Sequence, residues 1–253
     1  MLLSENTDMS EAVRLAQSAD GEESIGVLGE KTLHSALKYY FCMDRSHHEI
    51  KFKGYVADIL IERENEKPLI VEIQTRQTFR LARKLNAYAD SADVIVVLPM
   101  LAEKQLMWVE KDTGELIKGG KTTRPKNIYH ALKEIYSIRD CIKSDNVSIY
   151  IPFIKGTEYR KLDGYGENKK RGSTRLDIVP EKIIGITKLE TRDDYARLVP
   201  FAEGEQFGTK EFAKAAKISA ADSRYAMLTL NAVGVISECG RDGRRKLWTL
   251  AKQ

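Results

Sequence analysis

Cysteine is scarce in this sequence, and its three residues, Cys42, Cys141 and Cys239, lie far apart. An odd number at these spacings excludes a disulfide framework and a zinc-finger pattern, so we expect a reducing, cytoplasmic location. The four histidines, which include the pair His47 and His48, also lack a partner at metal-ligand spacing. They are therefore expected to be structural or surface residues.

Long apolar runs are also missing, and no stretch approaches the length of a membrane span. Residues 1–23 are polar, which argues against a signal peptide and predicts a leader, either frayed or helical from Ser10 to Ala19. The net charge of +4 is small, so any basic binding surface must be local. No GxxxxGK[ST] sequence occurs, which excludes a P-loop ATPase or helicase motif.

The most informative stretch runs from Gly54 to Gln74 and predicts two short strands joined by a polar turn. Asp58 interrupts the first strand, and Glu72 and Gln74 interrupt the second, each within apolar sequence. A carboxylate in such a strand is costly unless it is paired or coordinates a metal. A hairpin would bring Asp58 and Glu72 together, and oxygen ligands of this kind suit Mg²⁺ or Mn²⁺.

This constellation resembles the PD-(D/E)xK, or restriction-endonuclease-like, nuclease superfamily, in which an acid on one strand precedes an acid-x-lysine on the next. Gln74 stands at the lysine position, as it does in some members. The resemblance implies Asp58 and Glu72 as metal ligands, Glu30 as the acid of a first helix, and Lys84 as a lysine relocated to a later helix. The implied catalytic set is Glu30, Asp58, Glu72, Gln74 and Lys84.

The implied fold class is α/β, with a mixed sheet flanked by helices in a domain spanning residues 24–145. Helical periodicity predicts helices over Val27–Phe41, Thr78–Asp90 and Ile128–Ile142. The strand at Leu69–Gln74, the second helix and the run Asp93–Leu98 predict a βαβ unit with parallel strands. A turn at Asp112–Gly114 predicts a hairpin.

Residues 146–200 are expected to form a basic extension or linker. Val147–Ile154 predicts a strand, and Pro152 favours an edge position for it. Tyr159–Arg175 is basic and glycine-rich, which is typical either of a phosphate-tracking segment or of a solvated loop. The cations that would contact nucleic acid here are Lys169, Lys170, Arg171 and Arg175.

Residues 201–253 predict a helix capped by Thr209, a turn, a second helix over Ala220–Val233 and a basic hairpin. This order resembles the winged helix-turn-helix family across Phe207–Leu250, a small α+β domain. The resemblance implies a recognition surface near the start of the second helix, with phosphate contacts from the hairpin. The implied contacts are Ser223, Arg224, Arg241, Arg244, Arg245 and Lys246, with Ser219, Ala221, Asp222 and Tyr225 on or near the same surface.

Two functions from different classes follow from these resemblances. The first is a Mg²⁺- or Mn²⁺-dependent DNA endonuclease, with DNA delivered by the winged domain and a homodimer among the arrangements open to it. The second is a non-catalytic DNA-binding or regulatory protein on a nuclease-like scaffold, since fold does not fix function. A module that acts only with a partner protein is a third possibility. An ammonium of Lys84 within about 4 to 6 Å of Asp58 and Glu72 would favour the enzyme.

Overall fold

The computed structural model describes residues 8–20, 31–110, 112–121, 126–163 and 173–251, which form a mixed α/β fold. The helices are α1 (Met9–Asp20), α2 (Lys31–Phe41), α3 (Ala82–Tyr88), α4 (Ile128–Ile135), α5 (Arg192–Ala196), α6 (Thr209–Ala216) and α7 (Ala220–Ala232). The strands are β1 (His48–Phe52), β2 (Tyr55–Ile61), β3 (Leu69–Ile73), β4 (Asp93–Val97), β5 (Met100–Glu110), β6 (Leu116–Lys121), β7 (Val147–Leu162), β8 (Thr174–Leu189), β9 (Ile236–Asp242) and β10 (Arg245–Leu250).

The first eight strands form one mixed sheet in the order β1-β2-β3-β4-β7-β5-β6, with β8 on the other side of β7. Strands β1, β2 and β3 pair antiparallel, whereas β3 and β4 pair parallel with α3 between them. The expected parallel βαβ unit is therefore present. The hairpin predicted from the turn at Asp112–Gly114 forms from β5 and β6.

Apolar side chains cover both faces of this sheet. Alternate residues point to opposite faces, so Ile70 and Val94 contribute to one apolar cluster while Val71 and Ile95 contribute to the other. The second cluster lies under α1 and α2, with Met9 of α1 buried in it. The helical alternative for the first residues is therefore confirmed within the part of the chain that is described.

Two predicted helices are shorter than their apolar periodicity suggested. The segment at Thr78–Leu81 is a 3₁₀ turn that leads into α3, and α4 ends at Ile135, followed by 3₁₀ turns. The apolar face nevertheless continues beyond the end of α4, because Ile138 and Ile142 in the following 3₁₀ turns are buried. Short 3₁₀ pieces are common at the ends of α-helices.

The predicted edge position of Val147–Ile154 is wrong, because β7 has neighbours on both sides. Strand β4 pairs with β7 up to Tyr150, and β5 takes over from Phe153 along the same side. Pro152 lies between these two pairings, where the neighbouring chain passes through Leu98 and Pro99. A missing N–H is tolerated at such a break, so proline fits inside the sheet there.

The expected linker at residues 146–200 is largely sheet. Strands β7 and β8 are 16 residues each and pair antiparallel from Ile149–Leu189 to Lys161–Thr174. Strand β8 runs to Leu189, and Thr191 caps the short helix α5. This segment therefore completes the first domain rather than connecting two domains.

The last fifty residues form two helices and a hairpin in the predicted order. Gly208, not Thr209, is the N-cap of α6, and Glu211 accepts the Gly208 backbone N–H at 3.0 Å. Phe212 and Leu230 of this segment belong to the same apolar cluster as Leu132 of α4. The C-terminal segment thus shares a core with the main sheet.

No helix in the described ranges is both long enough and apolar enough to cross a membrane.

Candidate active site and nucleic-acid interface

The register of two antiparallel strands brings Asp58 and Glu72 together. Ile59 of β2 pairs with Val71 of β3, so Asp58 and Glu72 lie opposite each other one step further along. The side chain of Asp58 is 17% exposed and that of Glu72 is 2% exposed. Two acids thus meet at the end of the sheet where β3 finishes.

Asp58 is held by α2 and by the neighbouring strand. Its Oδ2 atom accepts hydrogen bonds from His34 Nε2 at 3.2 Å and from the Ile73 backbone N–H at 2.8 Å. Since an ionised carboxylate only accepts, the His34 proton must be on Nε2 for this bond. Burial raises the pKa of Asp58, but the His34 and Ile73 hydrogen bonds outweigh it and leave the pKa below its ordinary value.

Glu72 is held by α3. Its Oε2 atom accepts from Lys84 Nζ at 2.8 Å, and Tyr88 OH donates to Oε1 at 3.4 Å. Lys84 Nζ also donates to the Val56 carbonyl at 2.7 Å, which fixes the ammonium against β2. Burial and the nearby Asp58 charge raise the pKa of Glu72 to about 7, with Lys84 and Tyr88 opposing the rise.

The environments therefore push the pKa values of two adjacent carboxyl groups in opposite directions. Asp58 is ionised at neutral pH, whereas Glu72 exchanges its proton near pH 7. Such separation is typical of sites that carry out acid–base or metal-assisted chemistry. Burial also raises the pKa of the Tyr88 hydroxyl, with the Glu72 charge adding to it, so Tyr88 remains a hydrogen-bond donor.

Of the two other members of the predicted catalytic set, only Gln74 lies among the described residues, and its side chain makes its contact elsewhere. The Gln74 side chain donates to the Arg76 carbonyl, whereas its backbone N–H donates to Val97. Glu30 lies outside the described residues. Asp58, Glu72 and Lys84 are thus the predicted catalytic residues that the structure brings together.

Sequence reasoning missed His34 as a member of this site. Rings of the other three histidines make the expected structural contacts: His47 with the Leu60 carbonyl, His48 with the Cys42 carbonyl, and His130 with the cap of α4. His34 instead contacts Asp58. The available signal was its position four residues after Glu30 in the sequence, since that spacing would put both residues on one face of the predicted helix.

A divalent cation would find carboxylate oxygens here. Asp58 Oδ2 is already used by two donors, so Oδ1 is the atom left to bind a ligand. Magnesium is commonly bound through one or two carboxylates with several waters retained, so Asp58 and Glu72 fit it. Within the described ranges no group of three His, Cys, Asp or Glu residues is placed to hold a metal.

A second candidate surface lies in the C-terminal segment, where a cleft of about 470 Å³ opens between α6, α7 and the β9–β10 hairpin. Its floor is apolar, and its cationic lining consists of Lys210, Arg224, Arg244, Arg245 and Lys246. Arg245 pairs with Glu211 at 2.8 Å and Lys246 pairs with Glu238 at 2.7 Å. Among the described residues, Lys210, Arg224 and Arg244 have no carboxylate partner.

The predicted DNA contact at Ser223 is wrong. Its side chain is fully buried and its hydroxyl donates to the Thr209 carbonyl at 2.8 Å, so it ties α7 to α6. Arg241 is exposed but pairs with Glu238 at 3.3 Å. Four members of the predicted set are exposed and line the cleft: Arg224, Arg244, Arg245 and Lys246. Of these, Arg224 and Arg244 have no carboxylate partner among the described residues.

Part of the surface expected for DNA recognition faces α4 instead. Lys133 of α4 forms an ion pair with Asp222 at 2.8 Å, and the rings of Tyr136 and Tyr225 lie 5.4 Å apart. These contacts occupy two of the residues that the winged-helix resemblance placed on its recognition surface. Any nucleic acid at this segment would therefore approach the basic cleft.

The cations expected in the middle of the chain give little further information. Lys169, Lys170 and Arg171 lie outside the described residues. Arg175 is half-buried on β8, opposite Arg160 of β7, so it belongs to the sheet and not to a loop.

Comparison with known proteins gives a family and one relative. Residues 31–190, from the start of α2 to just past β8, match the family described as "Domain of unknown function (DUF8091)". A protein of Treponema pallidum (strain Nichols), titled "Uncharacterized protein", is 24% identical over 228 residues, which cover 89% of this chain and 87% of that protein. No solved structure matches. This match covers more than half of the chain and includes the whole main sheet, so the chain belongs to the DUF8091 family.

Proposed function

We propose that this protein is a metal-dependent DNA endonuclease that hydrolyses phosphodiester bonds at the Asp58–Glu72 pair. The observation that carries the proposal is the Lys84 ammonium, 2.8 Å from a nearly inaccessible Glu72 whose neighbour across the strands is Asp58. Two carboxylates and one ammonium at the end of adjacent strands are the groups that phosphodiester hydrolysis uses: ligands for a cation, and positive charge for the phosphate.

Stability does not explain this cluster. Desolvating charged groups costs free energy that their attraction repays only partly, and apolar side chains of similar volume are often as stable or more so. Here two acids lie in strands whose other residues are mostly buried, and a third charge comes from a different element, α3. We therefore attribute the three charged groups to the function of the site and not to the stability of the fold.

Asp58 and Glu72 would hold the divalent cation. When bound, the cation supplies a lowered pKa for a coordinated water and charge stabilisation for the phosphate. His34 and the Ile73 N–H orient Asp58, leaving one carboxylate oxygen outward. Lys84 orients Glu72 and places a positive charge beside the position that a phosphate would occupy.

Lys84 supplies the positive side-chain charge that the neutral Gln74 cannot supply. The Gln74 amide is neutral and turned to the Arg76 carbonyl. The ammonium instead comes from α3, 12 residues beyond Glu72 in the chain, and reaches the same carboxylate. We assign to the basic cleft at Arg224 and Arg244 the binding of the DNA backbone, at a distance from the bond that is hydrolysed.

Cleavage of end-labelled DNA in Mg²⁺ or Mn²⁺ tests this function, with Asp58→Asn and Lys84→Met compared with wild type. We expect metal-dependent cleavage by wild type and a loss of about 100-fold or more in each variant, the scale seen for groups that stabilise developing charge. The exposed Glu62→Gln is the matched control and should cleave normally. Salt-sensitive DNA binding without cleavage by wild type would instead favour the non-catalytic binding protein.

A further inference from the structure

Basic and aromatic side chains, here called the rim, lie at the end of the sheet that carries the Asp58–Glu72 centre. The rim consists of Lys51 in β1, Lys53 in the β1–β2 turn, Phe79 and Arg80 in the 3₁₀ turn before α3, and Arg83 in α3, all of them exposed. The segments that carry the rim, residues 50–57 and 73–88, contain no aspartate or glutamate. Within the described residues none of the four rim cations forms an ion pair.

The rim and the carboxylates lie at the same end of the sheet. Lys84 joins the two sides of the rim, because it follows Phe79 and Arg80 in the chain and donates to the Val56 carbonyl on β2. The helical rises place Phe79 roughly 9 Å from Lys84 along the axis. A strand that contacts Phe79 therefore has phosphates within a few nucleotides of the acid pair.

Phe79 is the most exposed of the large apolar side chains described, at 60%. Its neighbours in the 3₁₀ turn, Thr78 and Leu81, are almost completely buried and anchor the turn to the core. The Arg80 guanidinium lies 6.0 Å from the Phe79 ring centroid. An aromatic face is thus presented to solvent on a fixed turn, next to unpaired positive charge.

We propose that this rim binds an unpaired DNA strand, with a base stacked on Phe79 and the backbone held by Lys53, Arg80 and Arg83. Stacking on a side chain requires an exposed base face, which a duplex offers only where a base is flipped out or the strands are separated. The cations supply the sequence-independent attraction for phosphates. This inference rests on the proposed function for the chemistry of the site and names its substrate: single-stranded DNA, or the single-stranded part of a junction or end.

Fluorescence anisotropy with a labelled 15-nucleotide oligothymidylate and with a blunt duplex tests the proposal, in EDTA so that no cleavage occurs. We expect tighter binding of the single strand by wild type. Phe79→Ala should weaken that binding by about 5- to 100-fold, the range for loss of one stacked base. Phe79→Trp should retain it, and duplex binding should not change in either variant.

Ile184→Ala is the matched control, since Ile184 is 50% exposed on β8 and carries no part of the rim. Equal single-strand binding by wild type, Phe79→Ala and Ile184→Ala would overturn the proposal, as would an equal loss on duplex and single strand. The assay contains no metal, so its result is separate from that of the cleavage assay. Loss of binding in Phe79→Ala without cleavage by wild type would overturn the endonuclease and keep the strand-binding rim.

Discussion

The Lys84 ammonium lies 2.8 Å from Glu72 Oε2, so a helix supplies the counter-charge for an acid buried in the adjacent strand. This pair joins α3 to β3 in the free protein, and Lys84 simultaneously holds the Val56 carbonyl of β2. The same contacts that stabilise the charge of Glu72 also fix Lys84 beside Asp58. Structure and proposed chemistry therefore depend on one ion pair.

Replacing Lys84 should make stability more sensitive to pH. In Lys84→Met, Glu72 loses its partly exposed counter-charge, so the folded protein should lose about 1 to 3 kcal/mol at pH 8, where Glu72 is ionised. The loss should be much smaller at pH 5.5, where Glu72 is already protonated. Urea unfolding in EDTA at the two pH values measures the difference, and equal losses at both would contradict the coupling.

Glu72 itself should give the wild-type protein a pH dependence of known sign. Its folded pKa of about 7 exceeds the ordinary value of 4.5, so the folded state binds its proton more tightly than the unfolded state does. The free energy of unfolding should therefore fall from pH 4.5 to pH 7, by about 1 to 3 kcal/mol from this group. The contribution of this group should level off once the pH has passed its folded pKa, by about pH 8.

Glu72→Gln should remove that part of the pH dependence and be more stable than wild type at pH 8. The exposed Glu62→Gln should keep the wild-type slope. Urea titrations from pH 4.5 to pH 8.5 in EDTA provide the comparison. A slope that persists in Glu72→Gln would show that another group is responsible.

His34 should set the metal affinity of the site through Asp58. His34→Ala frees Asp58 Oδ2 from one of its two donors, so Mn²⁺ affinity should fall by about 10- to 100-fold, as for other groups that orient metal ligands. His34→Gln retains a donor and should lose less. Isothermal titration with Mn²⁺ measures this, and His47→Ala, whose ring contacts the Leu60 carbonyl instead, is the control. Unchanged affinity in His34→Ala would contradict the role.

The C-terminal segment should unfold together with the main sheet. Thr229 of α7 donates to the Leu132 carbonyl of α4 at 2.8 Å, both buried, and the apolar cluster is continuous across this contact. Thr229→Val removes this side-chain hydrogen bond, while the Tyr136 backbone N–H still donates to the Leu132 carbonyl, so the change should cost about 0.5 to 1.5 kcal/mol. Trp108 in β5 and Trp248 in β10 report on the two parts, so Trp108→Phe and Trp248→Phe variants should show coincident transitions. Two separate unfolding transitions would instead show that residues 201–253 form an independent domain.

Some of these features could be predicted from local sequence. Strands β2 and β3 are apolar runs bounded by glycine, proline and charged turns, so the bounds of β2 and the acids within both strands could be identified directly. The burial of Leu81 and Leu85 followed from helical spacing. The position of Lys84 close to the two acids was predicted from the resemblance to the nuclease superfamily and from its face of the predicted helix.

Other features depend on contacts between distant parts of the chain. The second half of β7 contains the start of the basic segment Tyr159–Arg175, for which a solvated loop was one of two predicted alternatives. A Cβ at Gly156 would lie 2.7 Å from the Val179 carbonyl, so glycine is required there by close strand approach and not by a turn. The contacts between α7 and α4 use polar residues such as Asp222 and Thr229, so no apolar pattern predicted them.

The most direct test of the central claim is nicking of supercoiled plasmid in Mn²⁺ by wild type and Glu72→Gln at equal concentration. Glu72→Gln keeps the shape of the side chain and removes its charge, so both proteins should be folded. Nicking by wild type and its loss in Glu72→Gln is the result that the Asp58–Glu72–Lys84 centre predicts. Equal nicking by both proteins, or none by either, would contradict it.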